Sequence, residues 1–205
     1  MQKKIETDAA RDIQRCAWVK PEDPLYCKYH DTEWGVHSKD DRHLFEHIVL
    51  ESAQAGLSWI TILRKRENYR KLFANFDANR IASFTETYVD ELLKNPGIIR
   101  NRAKILAAIS NAKCFLEIQK EFGSFYAYSM TFLEGGIPKL NARKTIADLP
   151  SVTEEAKLFA ADLKKRGFKF LGPTTIYAHM QAVGMVNDHT INCFRYAQLT
   201  SKTSY

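Results

Sequence analysis

No stretch of the 205-residue chain approaches the roughly 18 consecutive apolar residues of a membrane span, and the opening Met1-Gln2-Lys3-Lys4-Ile5-Glu6-Thr7-Asp8 lacks the apolar core of a secretory signal. A cytoplasmic location is therefore expected. Cysteine is scarce. In a reducing compartment the four residues, Cys16, Cys27, Cys114 and Cys193, suit thiols or metal ligands better than a disulfide framework. Internal repeats are absent, and runs of alternating apolar and polar residues, the mark of half-buried strands, are hard to find. These absences leave an all-α protein.

What is present is the balance of a globular chain, with 45% hydrophobic and 26% charged residues, long enough for one large domain or two small interleaved ones. Residues 1–14 read as an N-terminal extension, residues 15–199 as one globular domain of two interleaved helical lobes, and residues 200–205 as a small polar tail. Lys and Arg exceed Asp and Glu by 30 to 24, a net charge of +6. That permits a polyanionic partner without requiring one. The cations gather at Arg64-Lys65-Arg66, at Arg100, Arg102 and Lys104, and at Lys164-Lys165-Arg166 with Lys169, beside aromatics or glycine turns.

Helical spacing recurs throughout. Asp40 or Asp41 can cap a helix with Leu44, Phe45, Ile48, Val49 and Ser52 on one side, stopping near Gly56. Ser58 can cap a second, in which Trp59, Ile62, Leu63, Arg66, Tyr69 and Phe73 share a face. Val89, Leu92 and Leu93 mark a short helix ending at Asn95-Pro96-Gly97, and Ile105, Ile109, Ala112 and Leu116 mark a long one. Ser124 starts another, Ser151 with Glu154 has the pattern of a capping box, and Gly167 closes the helix after it. Residues 174–183 and the segment around His189 supply the last helices, with residues 134–150 connecting two helical halves.

Three groups could carry chemistry. His189 and Cys193 would lie one turn apart on a helix, half of a tetrahedral zinc site that Cys16 and His30 could complete, or a packed imidazole and an inert thiol. His43 and His47 form a second pair of the same kind, or a solvated helix face. The Gly97 turn opens onto a helix bearing Arg100, Arg102 and Lys104, which resembles a helix-hairpin-helix grip on a DNA backbone; the alternative is a plain turn between core helices. Finally Trp18, Tyr26, Tyr29, Trp34 and Trp59 surround a lone carboxylate, Glu51, a combination suited to a flat, cationic, donor-rich ligand; alternatively the aromatics are core and Glu51 meets solvent.

The strings Cys16-Ala-Trp18-Val, Asp23-Pro-Leu-Tyr26, Tyr29-His-Asp-Thr-Glu-Trp34-Gly, Leu50-Glu51, Gln54-Ala-Gly-Leu-Ser-Trp59, Gly97-Ile-Ile-Arg100, Lys164-Lys-Arg-Gly-Phe-Lys-Phe and Met185-Val-Asn-Asp188-His189 together resemble the 3-methyladenine DNA glycosylase I family. The resemblance runs from about Arg15 to about Tyr196. It implies an all-α helix-hairpin-helix glycosylase fold, with structural zinc held by Cys16, His30, His189 and Cys193 tying the two ends of the chain together. It also implies a base pocket of Glu51, Tyr29 and Trp59 within Trp18, Tyr26 and Trp34, with Glu51 as the catalytic residue; an ionised Glu51 would accept hydrogen bonds from the adenine edge and repel guanine analogues. Leu57, after Gly56 in the turn between two helices, is a candidate for the wedge that enters the base stack, the alternative being an ordinary core residue. Ser52 stands where the family would have glycine. The implied activity is monofunctional excision of 3-methyladenine from double-stranded alkylated DNA by a monomer, with no lyase step. The competing class is a non-catalytic zinc-stabilised DNA-binding module, which has no use for a carboxylate inside an aromatic box.

Overall fold

The computed structural model describes residues 13–202, so most of the expected N-terminal extension and the last three residues of the expected tail lie outside it. The described chain is helical: α1 (Pro24–Thr32), α2 (Asp41–Gln54), α3 (Trp59–Leu72), α4 (Ala78–Ala82), α5 (Glu86–Lys94), α6 (Arg102–Phe122), α7 (Phe125–Met130), α8 (Glu154–Lys165), α9 (Pro173–Ala182) and α10 (Phe194–Lys202). Thr200 to Lys202, expected in the tail, are thus the end of α10.

Short polar side chains start most of these helices by accepting from otherwise unpaired backbone N–H groups. Asp23 caps α1 with Pro24 behind it, Asp40 caps α2, Asn101 caps α6 and Ser124 caps α7. Two expected caps differ. Ser58 stands before α3, but its hydroxyl meets that of Thr61 at 2.8 Å instead of a backbone N–H. At α8 the cap is Thr153, whose Oγ1 accepts from the Ala156 N–H at 3.3 Å, because Ser151 and Val152 are still non-helical.

The main core is built from the apolar stripes of α2 to α9, with Phe45, Phe73, Phe115, Phe125 and Phe159 wholly buried. Two helical hairpins pack into it, α5 with α6 across the Gly97 turn and α8 with α9 across residues 166–172. A second, smaller cluster contains Cys16, Tyr29, Trp34, Leu63, Ala182 and Cys193, drawn from the N-terminal segment, α1, α3 and the C-terminal part of the chain.

The connection from 134 to 150 holds an element that the absence of alternating runs did not reveal. β1 (Lys139–Leu140) pairs in parallel with β2 (Val186–Asn187), and a further bridge joins Arg143 to Thr190. Two-residue strands are too short for periodicity to mark. They pin the His189 segment as an extended strand and turn, so His189 is not in a helix as expected. Gly184 completes the join: its φ is +71°, and a Cβ there would lie 2.3 Å from the His37 backbone nitrogen.

Candidate functional site

Cys16, His30, His189 and Cys193 are all buried, with ligand atoms within 4.8 Å of one another. Cys193 Sγ lies 3.4 Å from both His30 Nε2 and His189 Nδ1, and Cys16 Sγ lies 3.5 Å from His189 Nδ1. Ligands about 2.3 Å (sulfur) and 2.0 Å (nitrogen) from a tetrahedral metal stand roughly 3.5 Å apart, so the donor set fits such an ion. The remaining ring nitrogens are held too, His30 Nδ1 by Asp31 Oδ1 at 2.8 Å and His189 Nε2 by the Trp34 carbonyl at 2.9 Å, the outer contacts that fix a ligating histidine. The convergence of His189 with Cys193 comes from a turn, in which the Cys193 N–H donates to the Thr190 carbonyl, and not from one face of a helix.

The second histidine pair is not a solvated face. His47 is fully buried, its Nε2–H donates to Glu33 Oε1 at 3.1 Å, and its ring stacks against Trp59. Both Glu33 oxygens already accept from Arg66, which also donates to Glu46 at 2.8 Å. Burial opposes the Glu33 charge, yet the bonds from His47 and Arg66 outweigh it and hold the acid well below the usual carboxylate range.

Beside the Cys and His cluster opens a cavity of about 280 Å³ whose lining includes Trp18, Tyr26, Tyr29, Trp34, Glu51 and Trp59, every aromatic and the acid singled out from the sequence. α1 supplies Tyr26 and Tyr29, the end of α2 supplies Glu51, and the start of α3 supplies Trp59. Glu51 is 4% exposed and makes no side-chain hydrogen bond among the described residues, so burial alone pushes its pKa up to about 8. Burial thus works against the ionised form expected for Glu51, unless a ligand supplies donors or positive charge. Ser52 costs the pocket nothing, since its hydroxyl donates to the Val49 carbonyl of its own helix. Gln54, Ile146, Leu149, Ala178 and Gln181 complete the lining. Sequence reasoning missed the last four, which reach the cavity from the long connection and α9.

The three cation clusters differ. In the first, Arg64 pairs with Asp23, Lys65 donates to the Pro96 carbonyl, and Arg66 is the buried hub between Glu33 and Glu46. In the second, Arg102 pairs with Glu86 and Asp90, and Lys104 donates to the Ala53 and Ala55 carbonyls at the end of α2, leaving Arg100 exposed and unpaired among the described residues. Gly97 is packed against Asn68 of α3. In the third, Arg166 is held by Glu121 and Asp162, while the exposed side chains of Lys164, Lys165 and Lys169 have no partner among the described residues. Leu57, on the α2–α3 turn, is 41% exposed, and Gly56 before it has a φ of +80° with open space around it.

The family model for methyladenine glycosylase matches residues 18–196, nearly the whole described chain. The chain belongs to the methyladenine glycosylase family. It is 45% identical over 184 residues to the DNA-3-methyladenine glycosylase 1 of Escherichia coli (strain K12), covering 90% of this chain and 97% of that one. A crystal structure of a 3-methyladenine DNA glycosylase I superposes with a TM-score of 0.84 at 50% identity, covering 88% of this chain and 98% of that one. A variant of a 3-methyladenine DNA glycosylase I in complex with 3-methyladenine matches with a TM-score of 0.84 at 36% identity, over 88% of this chain and 96% of that one. The helix-hairpin-helix packing and the buried Cys and His cluster of this methyladenine glycosylase family member thus agree with its all-α expectation.

Proposed function

We infer that the protein is a base-excision enzyme that hydrolyses the N-glycosidic bond of 3-methyladenine in alkylated double-stranded DNA and releases the free base. The observation that carries this is a buried, unpartnered carboxylate, Glu51, inside an aromatic cavity of about 280 Å³. Burying an acid without donors is costly, and a ligand that supplies donors and positive charge removes that cost. Methylation at N3 makes adenine cationic. The cation's charge would lower the Glu51 pKa, so that its proton leaves to solvent, and would place its amine edge against the carboxylate, while Trp59 would stack on the ring and Tyr29 would hold the rim. Stacking contributes about 1 to 3 kcal/mol per base, the same order as the few kcal/mol that extrusion costs.

A cationic base is already a good leaving group, so recognition replaces much of acid and base catalysis. Water serves as the nucleophile and no lyase step follows. Among the described residues Glu51 is the one acid lining the cavity. Leu57 fills the gap left by the flipped base, and Gly56 lets the backbone come close. The Gly97 turn with Arg100, and the α8–α9 hairpin with Lys164, Lys165 and Lys169, grip the phosphates; Arg102 ties α6 to α5 and Lys104 ties it to the end of α2, which leaves them less free to meet DNA. Cys16, His30, His189 and Cys193 would hold zinc. Four protein ligands close the shell, so the ion supplies fold stability and not a bound water.

The test is release of free 3-methyladenine from methylated duplex DNA by the purified protein. Release is expected. DNA binding without any released base would favour the zinc-stabilised binding module.

A further inference from the structure

Gln181 lines the same cavity as Glu51, Tyr29 and Trp59, from the last turn of α9. Its backbone carbonyl accepts from the N–H groups of Gly35 and Gly184 at 3.1 and 3.3 Å, which fixes where the side chain starts. Its amide Nε2 donates to Asp188 Oδ2 at 2.7 Å. Asp188 is wholly buried, and its carboxylate also accepts from Tyr177 Oη at 2.5 Å, Asn141 Nδ2 at 2.8 Å and Arg143 Nε at 3.3 Å.

A carboxylate offers only acceptors. Of the two ends of the Gln181 amide, the NH₂ must therefore face Asp188, and the carbonyl oxygen is turned away from it. That oxygen accepts no hydrogen bond among the described residues. We propose that Gln181, oriented by Asp188, is a specificity-determining residue that presents a fixed acceptor to the exocyclic amine of an adenine-type lesion and repels the carbonyl of a guanine-type one. This rests on the base-excision reading above. Glu51 titrates and can donate to a carbonyl whenever it carries its proton, whereas an amide oxygen does not titrate and offers only an acceptor at any pH. Asp188 acts through Gln181 and is a positioning residue.

The experiment measures release of 3-methyladenine and 3-methylguanine from methylated DNA by the wild type, Gln181→Leu, Asp188→Asn and the double variant, beside thermal unfolding of each. Gln181→Leu should lower the ratio of adenine to guanine release at least tenfold. Asp188→Asn, which lets the amide turn over, should move the ratio the same way, and in the Gln181→Leu background it should move it no further. A merely structural role would lower both releases together and leave the ratio alone. An unchanged ratio in Gln181→Leu, with 3-methyladenine still released, overturns the proposal and leaves the excision reading standing. A wild type that releases neither base overturns both. Should Asp188→Asn fail to fold, Gln181→Leu decides alone.

Discussion

A carboxylic acid whose pKa is pushed from 4.5 up to about 8 by burial weighs on the folded state in a defined pH window. The folded protein binds the Glu51 proton more tightly than the unfolded chain. Its contribution is therefore most favourable below the unfolded value and is lost as pH rises toward about 8. Each pH unit in that window removes up to about 1.4 kcal/mol. Glu51→Gln keeps the shape and cannot ionise, so its melting temperature should gain on that of the wild type between pH 5 and pH 8 and run parallel to it at higher pH. Thermal unfolding across that range checks this, and a constant gap would mean that Glu51 finds donors in the free protein. The same residue marks how far a sequence can be read. Its place at the end of an apolar helix beside aromatics was legible, because α2 has a clear helical period. Its missing partners were not, since donors come from anywhere in space. Arg66 shows the same limit: its position on the apolar face of α3 was plain, but Glu33, which answers its charge, lies 33 residues earlier in the chain.

Between elements, function falls on the turns. The turn from α2 to α3 carries Leu57, whose 41% exposure leaves little packing to lose. Leu57→Ala should lower stability by less than about 1 kcal/mol, in line with a surface substitution, while slowing excision from duplex DNA far more than from single strands. Equal slowing on both substrates would remove it from base extrusion. The end of α8 and the turn after it carry the free lysines. Replacing Lys164, Lys165 and Lys169 together by alanine should reduce the slope of log affinity against log salt by about one for each phosphate that is no longer neutralised, alike for damaged and undamaged duplexes. Arg102→Ala should change the slope little, because Glu86 and Asp90 already neutralise it. The helices themselves were legible from spacing and caps, as at Asp40, Asn95 and Ser124. The errors came where order is set by distant pairing. Lys139–Leu140 and Val186–Asn187 are two residues each, and only their pairing with each other makes them strands and straightens the chain at His189.

Across the described residues, the segment around Cys16 and the segment from His189 to Cys193 meet at the Cys and His cluster, and the aromatic cavity leans on that meeting. His30 follows Tyr29 on α1, and His189 Nε2 is bonded to the Trp34 carbonyl, so two cavity walls share a backbone with the residues of the cluster or accept from them. The smaller core around them contains few residues, whereas the main core of α2 to α9 is closed without any of the four ligands. Removal of a structural metal should therefore act unevenly. A strong chelator, or Cys193→Ala, should lower the melting temperature and abolish binding of 3-methyladenine while most helical circular dichroism survives at low temperature, because the large core still buries its phenylalanines. Restoring zinc should recover both properties in the chelated wild type but not in Cys193→Ala, where the fourth ligand is gone. Elemental analysis finding no zinc in carefully purified protein, or a Cys193→Ala variant as stable as the wild type, would show instead that packing alone holds the ends together.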